Sequence, residues 1–106
     1  MEKNSKICWI DPLKGGKRNV PGAGEIYYAI TQPIKGVSGE LFSWSFKSII
    51  IETKMNKEGG FESSCITSFL FDNAPKISGL INEVVKIFEG PKLVGELEFF
   101  IDPSIT

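Results

Sequence analysis

Histidine is absent from this 106-residue chain. That removes the commonest general base near neutral pH and the commonest metal ligand. Ser-His-Asp and Cys-His arrangements are excluded outright. Cysteine is scarce as well: Cys8 and Cys65 are the whole complement, too few for a structural zinc site or a disulfide framework. Both lie in apolar, strand-like runs, so the expectation is two buried, reduced thiols, with a Cys8–Cys65 bridge as the minor alternative. No sign of charge dominates either. Twelve basic and thirteen acidic side chains leave a net charge of -1, and no global field would hold such a chain on nucleic acid or an anionic membrane. No apolar run approaches the ~20 residues of a membrane helix. Met1-Glu2-Lys3-Asn4-Ser5-Lys6 leads into no apolar core of signal-peptide length. The expectation is a soluble, cytoplasmic protein. A nucleotide-binding loop is missing too. Gly22-Ala23-Gly24 begins like a dinucleotide fingerprint, but Tyr27 fills the third glycine position and a strand-like run follows.

What is present is material for a core. Hydrophobic residues make up 42% and aromatics 11% of the chain, enough for one domain, which at this size buries roughly 65% of its unfolded surface. The stretch 84–101 organises the rest. Two apolar-rich runs flank Glu89-Gly90-Pro91-Lys92, a strong turn signal. After the turn Leu97, Phe99 and Ile101 alternate with Glu96, Glu98 and Asp102, the period of a half-buried strand. This predicts a C-terminal hairpin with its acidic residues outward.

Earlier in the chain, Ile7-Cys8-Trp9-Ile10 reads as a short strand ended by Asp11-Pro12. Residues 14–24 hold five Gly and Pro in eleven and predict a long loop with a basic middle. A strand over 25–31 and a loop over 32–39 follow. The run 40–54 is the longest strand-like segment, with Phe42, Trp44 and Phe46 on one face and taken as core. Ile49-Ile50-Ile51 breaks its alternation, which predicts a bulge or burial on both sides. Asn56-Lys57-Glu58-Gly59-Gly60 predicts a hairpin turn returning as a strand over 61–71. The segment 75–89 carries both a helical stripe and a strand-like end, and predicts one turn of helix near 76–82 followed by a strand. The resulting expectation is a mainly β protein, a small antiparallel barrel or two-sheet sandwich with one short helix in 76–88. The alternative is α+β.

Two motifs carry a resemblance. Glu89-Gly90-Pro91-Lys92-Leu93-Val94-Gly95 resembles a hairpin near the end of the third β-barrel domain of elongation factor Tu. Gly15-Gly16-Lys17-Arg18-Asn19-Val20-Pro21-Gly22 resembles that domain's Gly-Gly-Arg-x-x-Pro loop, again after a first strand. Glu25-Ile26-Tyr27-Tyr28 falls where the family has an aromatic-rich strand. The order agrees over nearly the full length. Leu97 stands where the family has a second glycine, Gly24-Glu25-Ile26 replaces its Gly-Tyr-Arg-Pro, and this chain has no P-loop. The resemblance implies a small antiparallel barrel, and fold alone does not carry the family's nucleotide or transfer-RNA role.

Function follows by elimination. With no catalytic set, metal set or cofactor motif, the expectation is a non-catalytic module. Its charge is unevenly placed: residues 1–20 hold five basic against two acidic groups, residues 83–106 two basic against five acidic. The leading reading is therefore a protein-binding module, an immunity or antitoxin-type inhibitor of a toxin domain such as a nuclease. Glu96, Glu98 and Asp102 would supply its interface charge. The rival is an RNA-binding or translation-associated module in which Lys14, Lys17 and Arg18, with Trp9, Tyr27 and Tyr28 nearby, grip single-stranded nucleic acid. A third reading is a structural subunit that forms homo-oligomers.

Overall fold

A computed structural model describes residues 3–100. Six strands close into one antiparallel barrel: β1 (Lys3–Trp9), β2 (Ile26–Lys35), β3 (Leu41–Met55), β4 (Phe61–Phe69), β5 (Val84–Glu89) and β6 (Lys92–Phe99). The spatial order is β1-β4-β3-β2-β5-β6, with β6 returning to β1. Every strand has a neighbour on both sides, although β2 and β5 meet over only two pairs, Ile30–Phe88 and Thr31–Ile87. The mainly β expectation holds in its barrel form. Among the described residues the only helical segments are two short 3-10 turns, Pro12–Lys14 and Ile77–Leu80, so the α+β alternative is set aside.

The C-terminal hairpin forms because Glu89 and Lys92 pair across Gly90-Pro91. Gly90 takes φ +59, the positive angle that the first central residue of a tight two-residue hairpin turn requires. The 75–89 segment divides as its sequence suggests. Ile77 and Leu80 bury one apolar side of a 3-10 turn, Asn82 reverses the chain at φ +67, and β5 follows. The Ile49-Ile50-Ile51 triplet is a bulge. Ile50 pairs with Cys65 and Glu52 with Ser64, so Ile51 is the extra residue and stands half exposed.

Two strands run further than expected. β1 starts at Lys3, because Ser5 can enter the interior when its hydroxyl is satisfied. Ser5 Oγ donates to the Cys65 carbonyl at 3.1 Å and lies 2.7 Å from Thr67 Oγ1. β2 runs on through Gln32-Pro33, read above as loop. The register slips between Ile30 and Pro33, the kind of bulge that tolerates proline's missing N–H. At that bulge the Thr31 hydroxyl accepts from the Trp44 backbone N–H at 3.0 Å, standing in for a ladder carbonyl.

The interior combines fully buried Ile7, Phe46, Ile50, Ile87, Val94, Leu97 and Phe99 with an unexpected polar seam of Ser5, Ser48, Ser63 and Thr67. Of the three β3 aromatics taken as core, Trp44 and Phe46 are buried, but Phe42 is 55% exposed. It shares their face but lies near the start of β3, opposite Ile34, with its ring and that of Trp44 edge to face at 5.6 Å between centroids.

Candidate functional site

Barrel closure assembles charges that are far apart in sequence. On β6, Glu96 and Glu98 alternate with buried Leu97 and Phe99; Glu96 is exposed and Glu98 half-buried. β1 lies beside β6 and presents Lys6 and Cys8 on the same outer side. Register then fixes two rows across the outside of the barrel. One runs Lys86–Glu96–Cys8–Glu62–Lys54 across β5, β6, β1, β4 and β3. The other runs Val84–Glu98–Lys6–Ser64–Glu52. Three carboxylates, Glu62, Glu96 and Glu98, thus surround Cys8, and among the described residues none of them is in an ion pair. Lys86 and Lys54 end the first row and Lys6 stands beside Glu98 in the second, so this is a patterned wall with acidic residues at its centre. Asp102, the third expected interface acid, and Ile101 lie outside the described residues.

Cys8 shows the local field. Burial pushes its thiol above the ordinary value; Lys6 works against this, and Glu62, Glu98 and Glu96 add to it. A thiolate is therefore disfavoured here, the reverse of a nucleophile's surroundings. Cys65 is buried and free, as expected, whereas Cys8 is half-buried on the outside of the barrel. The two residues face opposite sides of the sheet, so the bridge is ruled out in this fold. The reason is register: Cys8 shares a row with Glu62 and Glu96, while Cys65 pairs with Ser5 in the interior.

The basic loop is distributed differently from the nucleic-acid reading. Lys14 and Arg18 are exposed. Lys17 Nζ lies 3.2 Å from Glu89 Oε2 and 5.9 Å from the Tyr27 ring centre. The Tyr27 hydroxyl donates to the same Glu89 oxygen at 2.5 Å. Trp9 packs edge-on against Tyr27 at 5.0 Å and donates its Nε1–H to Ser63 Oγ at 2.8 Å. Burial raises the Glu89 carboxyl's pKa, but the Tyr27 hydroxyl and Lys17 outweigh it and hold the group below the usual carboxylate range. Burial first, and Glu89 second, push the Tyr27 phenol upward. Lys17, Glu89 and Tyr27 thus tie the loop across the barrel mouth. Trp9 and Tyr27 belong to the core, and only Tyr28 of the three aromatics is open, on the outer side of β2.

Glu62, Lys6 and Lys86 were missed from sequence. Alternation in 61–71 already puts Glu62 outward with Ser64, but which strands lie beside β4 is set by barrel closure. Among the described residues no group of three or more His, Cys, Asp or Glu side chains is placed to hold a metal ion, and no helix is long and apolar enough to cross a membrane. In the comparisons with known proteins, no protein-family model, no curated protein and no solved structure matches this chain.

Proposed function

We propose that this barrel is a non-catalytic protein-binding module of the immunity or antitoxin type. It inhibits a toxin domain, a nuclease in the leading version, by covering it with the outer wall formed by β6, β1 and the start of β4. The observation that carries this reading is the set of Glu62, Glu96 and Glu98 around Cys8, carboxylates brought from two strands and left without an ion pair among the described residues. A nuclease must attract phosphate, so its active site is basic. A rigid wall with carboxylates at its centre complements such a site and accelerates encounter by electrostatic steering. The rigidity matters: strands fix the spacing of the charges, so little side-chain and backbone entropy remains to be lost on docking.

The test is coexpression with toxins encoded beside this gene. The expected result is rescue of growth and a stoichiometric complex, with rescue lost when Glu62, Glu96 and Glu98 are replaced together by lysine in a barrel that still folds. A wild-type barrel that binds none of the neighbouring gene products, or a triple variant that rescues as well as wild type, defeats the reading.

A further inference from the structure

The side of the barrel away from β6 is of another character. On β2 and β3 the outward residues Ile26, Tyr28 and Ile51 are 54%, 59% and 53% exposed. Ile26, Ile49 and Ile66 stand in one row across β2, β3 and β4. Ile49 and Ile66 are half-buried, so Ile26, Tyr28 and Ile51 supply most of the exposed apolar surface here, and large apolar side chains grouped in this way mark an interaction surface. At this row β3 is paired on both sides, with β2 and with β4, so no partner strand can add there and an occupant must pack face to face.

Charge placement on β3 selects the occupant. Lys47, Ile49 and Glu52 occupy successive outward steps of the ladder, opposite Ser68, Ile66 and Ser64 on β4, because the Ile51 bulge absorbs one residue. A cation and an anion therefore flank the isoleucine row at about equal distance, roughly 6.6 Å along the strand on either side. A surface with this order of plus, apolar and minus is its own complement under a two-fold axis. We infer that a second copy of this chain docks here, about a two-fold axis lying in the contact plane along the Ile26–Ile49–Ile66 row. Ile49 meets Ile49, and Lys47 of each copy faces Glu52 of the other. An axis along the strands would instead set Lys47 against Lys47.

A standard interface buries about 800 Å² per partner, more than this apolar row provides, so the dimer is weak and its two ion pairs are a substantial part of its specificity. The arrangement leaves β6 and β1 of both copies facing outward, while β4 contributes Ile66 to the dimer row and, further along its outer face, Glu62 to the acidic wall.

Sedimentation equilibrium over roughly 10 μM to 1 mM, where interfaces of this class associate, tests the inference. Wild type should show a monomer–dimer equilibrium. Lys47→Glu alone and Glu52→Lys alone should each weaken it by about ten-fold or more, since each turns two attractive contacts repulsive. Lys47→Glu combined with Glu52→Lys should restore it, because the swap rebuilds both pairs in reverse. Circular dichroism confirms that each variant is folded. A wild-type monomer across the whole range overturns the proposal. So does a dimer indifferent to the single reversals, or a double swap that stays as weak as the singles.

Discussion

Thr67→Val is the sharpest probe of the polar seam inside the barrel. Thr67 Oγ1 lies 2.7 Å from Ser5 Oγ and 2.6 Å from Ser48 Oγ. Ser5 spends its proton on the Cys65 carbonyl, so Thr67 must donate to Ser5 and is then free to accept from Ser48. The chain of protons runs Ser48 to Thr67 to Ser5 to backbone. Valine matches threonine in shape, but it leaves the buried Ser48 hydroxyl with no acceptor and withdraws a donor from Ser5. An orphaned buried hydroxyl costs about 1–3 kcal/mol, which predicts a loss of about 2 kcal/mol and a fall in Tm of roughly 8–12 °C for a domain of this size. The coupling is the stronger test. Ser48→Ala alone removes one bond and opens a small void, costing about 1 kcal/mol. Thr67→Val on top of Ser48→Ala has no Ser48 proton left to orphan, so the double variant should be at least 1 kcal/mol more stable than the sum of the single losses predicts. Urea denaturation of the four proteins at constant m-value measures this. Strict additivity would refute the proposed proton order, and a neutral Thr67→Val would refute the account of the seam altogether.

Three further predictions follow from the same structure. Phe99→Ala should cost about 3–5 kcal/mol in chemical denaturation, because Phe99 is fully buried and its ring sits 6.3 Å from Phe69; a loss under 1 kcal/mol would place it outside the core. Stability should fall on acidification as pH drops through and below the ordinary carboxylate pKa of about 4.3, because a carboxyl held low in the folded state favours folding above its unfolded pKa and loses that contribution as it protonates. Glu89→Gln should flatten this part of the pH–stability curve, and an unchanged curve would show that Glu89 does not tie down the loop. Cys8 should react with iodoacetamide at pH 7 more slowly than a free cysteine, since its thiol is held protonated by burial and by neighbouring carboxylates. Replacing Glu62, Glu96 and Glu98 together by glutamine should speed the reaction, and an unaltered rate would remove the acidic field as a cause.

Much of the fold was legible because strands announce themselves by alternation and turns by glycine, proline and asparagine. Glu89-Gly90-Pro91-Lys92 and Asn56-Lys57-Glu58-Gly59-Gly60 both lie at hairpin turns. In the second, Asn56 Oδ1 accepts from the backbone N–H groups of Glu58 and Gly60 at 3.0 Å each, while Gly59 takes φ +84. The triplet of isoleucines marked its bulge. Illegible were the places where polarity misleads. Ser5 and Thr31 look like surface residues until their hydroxyls are seen bonded inside the barrel, and Pro33 looks like a loop residue until the bulge accommodates it. Hydroxyl side chains can sit in a core when their bonds are satisfied, and the satisfying partner is more than 60 positions away in the case of Ser5 and Thr67.

The candidate site divides along the same line. That Glu96 and Glu98 share an outer face follows from a period of two and needs no tertiary knowledge. That Glu62 joins them, with Cys8 and Lys6 in between, depends on β1 lying between β4 and β6. Strand order in a closed barrel is decided by the whole set of pairings, which no single segment encodes. The same closure turns an almost neutral chain into a body with two unlike sides. Isoleucines from β2, β3 and β4 come into one row, and carboxylates from β4 and β6 gather on the other side of β4 around β1. Net charge is silent about this, since a patterned wall and a uniform scatter of the same residues give the same sum. Two sides with different chemistry allow two contacts to be made at once, and each can be abolished without touching the other. Lys47→Glu should therefore impair self-association while leaving toxin rescue intact, and the triple lysine variant of the acidic wall should do the opposite. If one substitution abolished both, the two contacts would have to share a face, and the division of the barrel into separate binding sides would be wrong.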